Sequence, residues 1–173
     1  MVCGPSNSGK STLAVALAGR LGVPAIHLDQ LQHLPDTDWV PRPEAEFQRL
    51  HDAAIRGEGW VMDGNYSRLM PQRLARTTGI ILLDDSRWAN FGRYLRRTLF
   101  QKHRVGALAG GKDTLKWEMV RWILFVSPRN VARYRRELPA AGLPFWESTS
   151  MRELTELYSC WELSADGAAR SGT

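Results

Sequence analysis

The sequence is short of cysteine. Cys3 and Cys160 are the whole supply, and two thiols so spaced make neither a disulfide framework nor a metal-ligand pattern. Free, buried thiols in a reducing cytoplasm are the expectation. Long apolar runs are also missing. A membrane-spanning helix needs about twenty consecutive apolar residues, and candidates such as Trp122-Ile123-Leu124-Phe125-Val126 fall far short. No signal-peptide pattern precedes the first polar loop. Internal repeats and low-complexity tracts are absent, which argues against solenoids and linker arrays. Acidic residues are scarce in one place. Between Arg87 and Arg136 thirteen Lys and Arg face only Asp113 and Glu118, a local charge of +11 in a chain whose total is +5. The remainder is therefore net acidic. So lopsided a distribution asks for an anionic partner, either nucleotide phosphates or nucleic acid.

What is present is the material of one globular domain. A chain of 173 residues with 43% hydrophobic content supports a single core and is too short for two comfortable ones. The domain is expected over 1–163, with a small polar tail at 164–173 that is expected to be disordered. Strand and helix patterns alternate along it. Strands are predicted at Met1–Cys3, Ala25–Leu28, Trp60–Met62, Gly79–Leu83 and Leu143–Glu147. Helices are predicted over 9–21 with Gly22 as C-terminal cap, 43–56, 70–77, 87–101, 114–126, from a Ser127-Pro128 cap to about 138, and over 150–163. Such alternation predicts an α/β fold, a parallel sheet with helices on both faces, and ligand binding at the carboxyl ends of the strands. Only three residues precede the first loop, whereas a strand usually takes about five. The first strand is expected to be short or incomplete in this chain.

That first loop carries the chemistry. Gly4-Pro5-Ser6-Asn7-Ser8-Gly9-Lys10-Ser11-Thr12 matches the phosphate-binding pattern G-x-x-x-x-G-K-[ST] at every fixed position. Gly4 and Gly9 let the backbone turn its N–H groups inward. Lys10 reaches the outer phosphates as a point charge, and the Ser11 hydroxyl can ligate Mg²⁺. Thr12 opens a helix whose positive end points at the same anion.

Acids stand at three predicted strand ends: Asp29, Asp63 and the pair Asp84-Asp85. Asp63 is placed either to direct Mg²⁺ together with Ser11 or simply to cap a turn. Asp29 is either a base for a hydroxyl acceptor or a turn cap; a phosphate acceptor needs no base. His27 and His33 read as structural. Arg68, expected in a loop above the sheet, either clamps phosphate bidentately or is a solvated surface charge. In the basic segment, Arg93, Arg96 and Arg97 share a helical face, as do Arg129, Arg133 and Arg136. Like charges so spaced repel, and a bound polyanion relieves the repulsion. Two basic helices joined by a Gly-rich loop suit a lid that closes over ATP, with Arg93, Arg97 and Arg133 the candidate donors to the transferring phosphate. Of seven tryptophans, Trp39 alone lies in a polar loop of the acceptor side; the rest read as core or lid packing.

Together these stretches resemble the adenylate-kinase-like P-loop kinases, and among them the small FlaR-like group, also called DNA topology modulation proteins. The resemblance rests on Gly4–Thr12, on Ile26-His27-Leu28-Asp29, on Trp60-Val61-Met62-Asp63-Gly64-Asn65-Tyr66-Ser67-Arg68, and on Ile80–Asp84 leading into Arg96-Arg97. Asp-Gly-Asn-Tyr-Ser-Arg looks like a variant of the Asp-Gly-Phe-Pro-Arg stretch of adenylate kinases, from which it departs at Asn65-Tyr66. The resemblance implies the three-layer P-loop NTPase fold, a five-stranded parallel sheet in the order 2-3-1-4-5, an acceptor-binding region at 30–59 and a helical lid at about 100–135. It also implies ATP- and Mg²⁺-dependent phosphoryl transfer to a nucleotide, nucleoside or hydroxyl-bearing metabolite, with Asp63 near the metal and Arg68 on phosphate. The Asp29 position looks like the strand-two acid of kinases that phosphorylate a hydroxyl. The competing expectation is a nucleotide-dependent nucleic-acid-binding protein acting through 87–136, although no DNA-reading module is evident.

Overall fold

The computed structural model describes residues 1–100 and 117–164, apart from the side chains of residues 97 and 100. Five strands form one all-parallel sheet: β1 (Val2–Cys3), β2 (Ala25–His27), β3 (Val61–Asp63), β4 (Ile80–Leu83) and β5 (Phe145–Ser148), in the order β2-β3-β1-β4-β5. Helices lie around it: α1 (Lys10–Leu21), α2 (Leu28–Gln32), α3 (Glu44–Ile55), α4 (Met70–Leu74), α5 (Arg87–Phe100), α6 (Trp117–Arg121), α7 (Ser127–Glu137) and α8 (Met151–Cys160).

Strand side chains alternate between faces, and the core divides accordingly. Val2, Ile81 and Leu83 pack with Leu13, Leu17, Leu154 and Leu157 of α1 and α8. Cys3, Ile80 and Leu82 pack on the opposite face with Met70, Val131 and Tyr134. Burial of each large apolar side chain contributes about 1.5–3 kcal/mol. The four residues of β4 are buried throughout, as a strand covered on both faces must be. Two satellite clusters hold the parts around the site. Leu28, Phe47, Ile55, Met62 and Leu69 fix α2 and α3, while Tyr94, Val120 and Ile123 join α5 to α6.

Four expectations are corrected. Cys3 is buried as expected, but Cys160, at the end of α8, is exposed. The second strand stops at His27, and Leu28 is drawn fully into the α3 cluster, so Asp29 sits in the first turn of α2 rather than at a strand end. Arg68 lies in a 3₁₀ turn, Ser67–Leu69, not in an open loop. Ser127 caps nothing: a π-helical turn, Trp122–Val126, runs directly into α7, so its backbone is helical and its side chain buried. Helix α8 does start as expected, with the Ser150 hydroxyl accepting from Glu153 N–H. The predicted lid falls partly, at 101–116, outside the described residues, as does the tail at 165–173.

Candidate functional site

The glycine-built loop follows β1 at the centre of the sheet. Gly4 adopts φ 143°, and a Cβ there would stand 2.3 Å from the Leu83 carbonyl oxygen, so only glycine lets the loop pass the end of β4. Asn7 takes a left-handed φ of 65°. The Pro5 carbonyl accepts from Ser8 Oγ at 2.9 Å and from Lys10 Nζ at 2.7 Å, folding the lysine over its own loop. Helix α1 begins at Lys10, and the first N–H groups of a helix have no intrahelical partners and can accept an anion.

Asp63 ends β3 beside the loop and is buried. Ser11 Oγ donates to its Oδ2 at 2.7 Å, and His27 Nδ1 is bonded to its Oδ1. Sheet register makes this meeting possible, because Asp63 pairs with His27 on one side and Val2 on the other. Hydroxyl and carboxylate oxygens are the hard donors Mg²⁺ prefers, and that ion characteristically takes one or two protein ligands and fills the rest with phosphate and water. Ser11 and Asp63 fit that demand. No cluster of three or more His, Cys, Asp or Glu suited to a metal occurs among the described residues.

The turn after Asp63 connects the loop to α2 and α3. Asn65 grips Gly4 at two points: Gly4 N–H donates to its Oδ1 at 3.1 Å, and its Nδ2 donates to Gly4 O at 2.9 Å. Tyr66, with a strained φ of 32°, donates its hydroxyl to Asp29 Oδ1 at 2.6 Å. Burial first, then the Asp29 charge, pushes the phenol far above its usual range, so it stays protonated. Its ring lies 5.1 Å from that of Phe47. These rings, with Gln32, Arg42, Gln48 and Arg68, line a cavity of about 280 Å³, in the region 30–59 expected to hold an acceptor. Arg68 is ion-paired with Glu44 at this cavity, both largely exposed; no phosphate contact is needed to hold it there.

The basic helices supply two more contacts. Arg93 donates through Nε to Asn7 O at 2.7 Å and pairs with Asp85 at 2.6 Å, so it lies against the Gly4–Thr12 loop. Arg133 donates to Ser67 Oγ at 2.6 Å, beside Arg68 in the same turn. Arg97 lies on α5, its side chain outside the described residues. Asp84 is bound by Arg135, which also pairs with Glu147 at 2.6 Å across β4 and β5. A cavity of about 180 Å³ opens between Pro5, Asp84, Asp85, Asn90 and the α7 face.

Sequence pattern alone passes over Asn65 and Tyr66 as site residues, treats His27 as structural, and gives Arg73 no role. Arg73 is fully buried. It donates to the carbonyls of Asn65 and Tyr66, and burial pulls its pKa below the ordinary value. One signal was there to find it. Met70, Arg73, Leu74 and Thr77 fall at the spacing of one inward helix face. No family model matches the chain, and no curated protein or solved structure matches it either.

Proposed function

We propose that this chain is a P-loop kinase that transfers the terminal phosphoryl group of ATP to a small acceptor. The observation that carries this reading is the hydrogen bond from Ser11 Oγ to Asp63 Oδ2 at 2.7 Å, at the foot of a loop that matches the phosphate-binding pattern throughout. A coincidental Gly-rich turn has no reason to set its serine on the carboxylate of the neighbouring strand.

In this reading the loop amides and Lys10 hold the phosphates, and Lys10 exchanges the Pro5 carbonyl for them. Mg²⁺, held by Ser11 and Asp63, would neutralise charge on the phosphates. His27, bonded to the other carboxylate oxygen, fixes the orientation of Asp63. The acceptor occupies the cavity between Phe47, Tyr66 and Arg42. Its oxygen forms the new bond to phosphorus as the bond to the departing nucleotide breaks. A hydroxyl acceptor gives its proton to Asp29, which Tyr66 positions; a phosphate acceptor has no proton to give. Arg93 and Arg133, bonded to the loop and to the turn after Asp63, would balance charge developing on the transferred group. Replacing Lys10 by Ala tests the reading: folding persists and turnover disappears, whereas full activity in Lys10→Ala refutes it.

A second reading is favoured by one feature. Trp88, Trp117, Trp122 and Phe125 are exposed, Trp117 at 76%, among the arginines of α5 to α7. Aromatic faces interleaved with cations suit a single-stranded nucleic acid. Such binding weakens steeply as salt rises, and no binding at about 50 mM salt removes this reading.

A further inference from the structure

Arg73 buries a guanidinium, a side chain that does not shed its charge in a protein. It is 0% exposed, and no carboxylate pairs with it among the described residues. Its Nε and Nη1 have no hydrogen-bond partner. Cys3 packs nearby, its thiol pKa raised by burial and so left neutral. A buried guanidinium without a counter-charge is a poor contribution to stability, and apolar replacements of buried ions are commonly neutral or stabilising. The bonds it does make are selective. Nη2 donates to the carbonyls of Asn65 and Tyr66, and to the sulfur of Met70 at 3.4 Å. Those two carbonyls belong to the residues whose side chains tie the phosphate loop, through Gly4, and the acceptor side, through Asp29. Tyr66 is also held at a φ of 32°, a conformation that a non-glycine residue keeps only when its surroundings over-determine it.

We propose that Arg73 is a positioning residue: a buried guanidinium clamp that holds the Asn65-Tyr66 turn in its strained conformation and thereby keeps the phosphate loop and the acceptor-side Asp29 in fixed register. Its part in turnover rests on the phosphoryl-transfer reading; the clamp itself does not. The chain retains a destabilising core residue because that residue sets the spacing of the two halves of the site.

The test compares wild type, Arg73→Met and Arg73→Lys by amide hydrogen exchange, melting temperature and steady-state kinetics. Arg73→Met is expected to melt no lower than wild type. Its amides at 64–67 and at Gly4, Ser6, Asn7 and Ser8 are expected to exchange faster, while those of α1 and β4 keep their protection. Its kcat/KM falls at least tenfold, within the roughly hundredfold that a small misplacement of reacting groups costs. Arg73→Lys, able to reach one carbonyl, recovers part of both. Unchanged exchange at 4–8 overturns the clamp, and so does a rise spread evenly over the sheet with a lowered melting temperature, since that marks a purely structural core residue. Should Arg73→Met fail to fold, Arg73→Lys, which keeps a buried cation but not both carbonyl bonds, carries the same exchange test. Faster exchange at 4–8 there supports the clamp, and unchanged exchange overturns it. If wild type transfers phosphate to no acceptor, the exchange results still decide the clamp and only the function reading falls.

Discussion

Gly4→Ala isolates the physical demand that the Gly4–Thr12 loop makes on its first residue. Two costs combine. The backbone at φ 143° lies where an L side chain is strained, at about 1–3 kcal/mol. The new Cβ also meets the Leu83 carbonyl oxygen at 2.3 Å and the Leu83 carbonyl carbon at 3.1 Å. Both atoms are backbone, in a strand buried on both faces, so neither can rotate away. Relief requires moving the loop or β4 by several tenths of an ångström in a close-packed interior, which costs a further 1–3 kcal/mol or so. The expected loss is about 4 kcal/mol, or roughly 8–16 °C in Tm for a chain of this size. Gly22→Ala is the internal control. That residue has φ 67°, and a Cβ added to it would meet nothing within 4 Å, so only conformational strain of about 1–2 kcal/mol applies, near 2–8 °C. Thermal unfolding of both variants followed by circular dichroism is the assay. A Gly4→Ala loss no greater than that of Gly22→Ala would refute the claim that the loop is wedged against β4.

Other outcomes follow from the same geometry. Asp63→Asn keeps the shape and loses the charge, so the half-saturating Mg²⁺ concentration for turnover rises by more than the tenfold to hundredfold or so that loss of an outer-sphere partner costs; an unchanged Mg²⁺ titration contradicts the metal role. Asp29→Asn separates the acceptor classes, because a large fall in kcat with every acceptor tested means a hydroxyl acceptor, whereas unchanged kcat means a phosphate acceptor. Ser150→Ala removes the cap of α8 and lowers stability by about 1 kcal/mol, read as a small fall in Tm. In the same cap, hydrogen bonds from Thr149 hold the Glu153 carboxyl below its ordinary pKa. A depressed carboxyl stabilises the fold above its unfolded pKa, so its contribution is fully present at neutral pH and fades as the pH falls through the acid range; Glu153→Gln flattens that part of the pH–stability profile, and an identical profile in the variant contradicts this.

Much of the molecule is legible in the sequence. Alternating apolar stretches dictate strands and helices in turn, and the glycine spacing of Gly4–Thr12 marks the tight loop between β1 and α1, because its glycines answer a local steric demand. Asp63 stands out for the same reason, an acid directly after an apolar strand. Local pattern cannot say which distant groups meet. That Ser11 and His27 share the two oxygens of Asp63 depends on β3 lying between β1 and β2, a matter of sheet order. Asp29 looks like a strand-end acid until Leu28 is drawn under α3 and the chain turns helical one residue early. Arg68 and Arg93 are equally plain arginines in the sequence; tertiary packing sends one to Glu44 and the other onto the Asn7 carbonyl. Arg73 is the sharpest case. Its charge suggests a solvated surface, and its helical spacing suggests the core. The tertiary structure resolves the conflict by packing Met70 into the sheet core, which turns this face of α4 inward and sets Arg73 under the Asn65 and Tyr66 carbonyls.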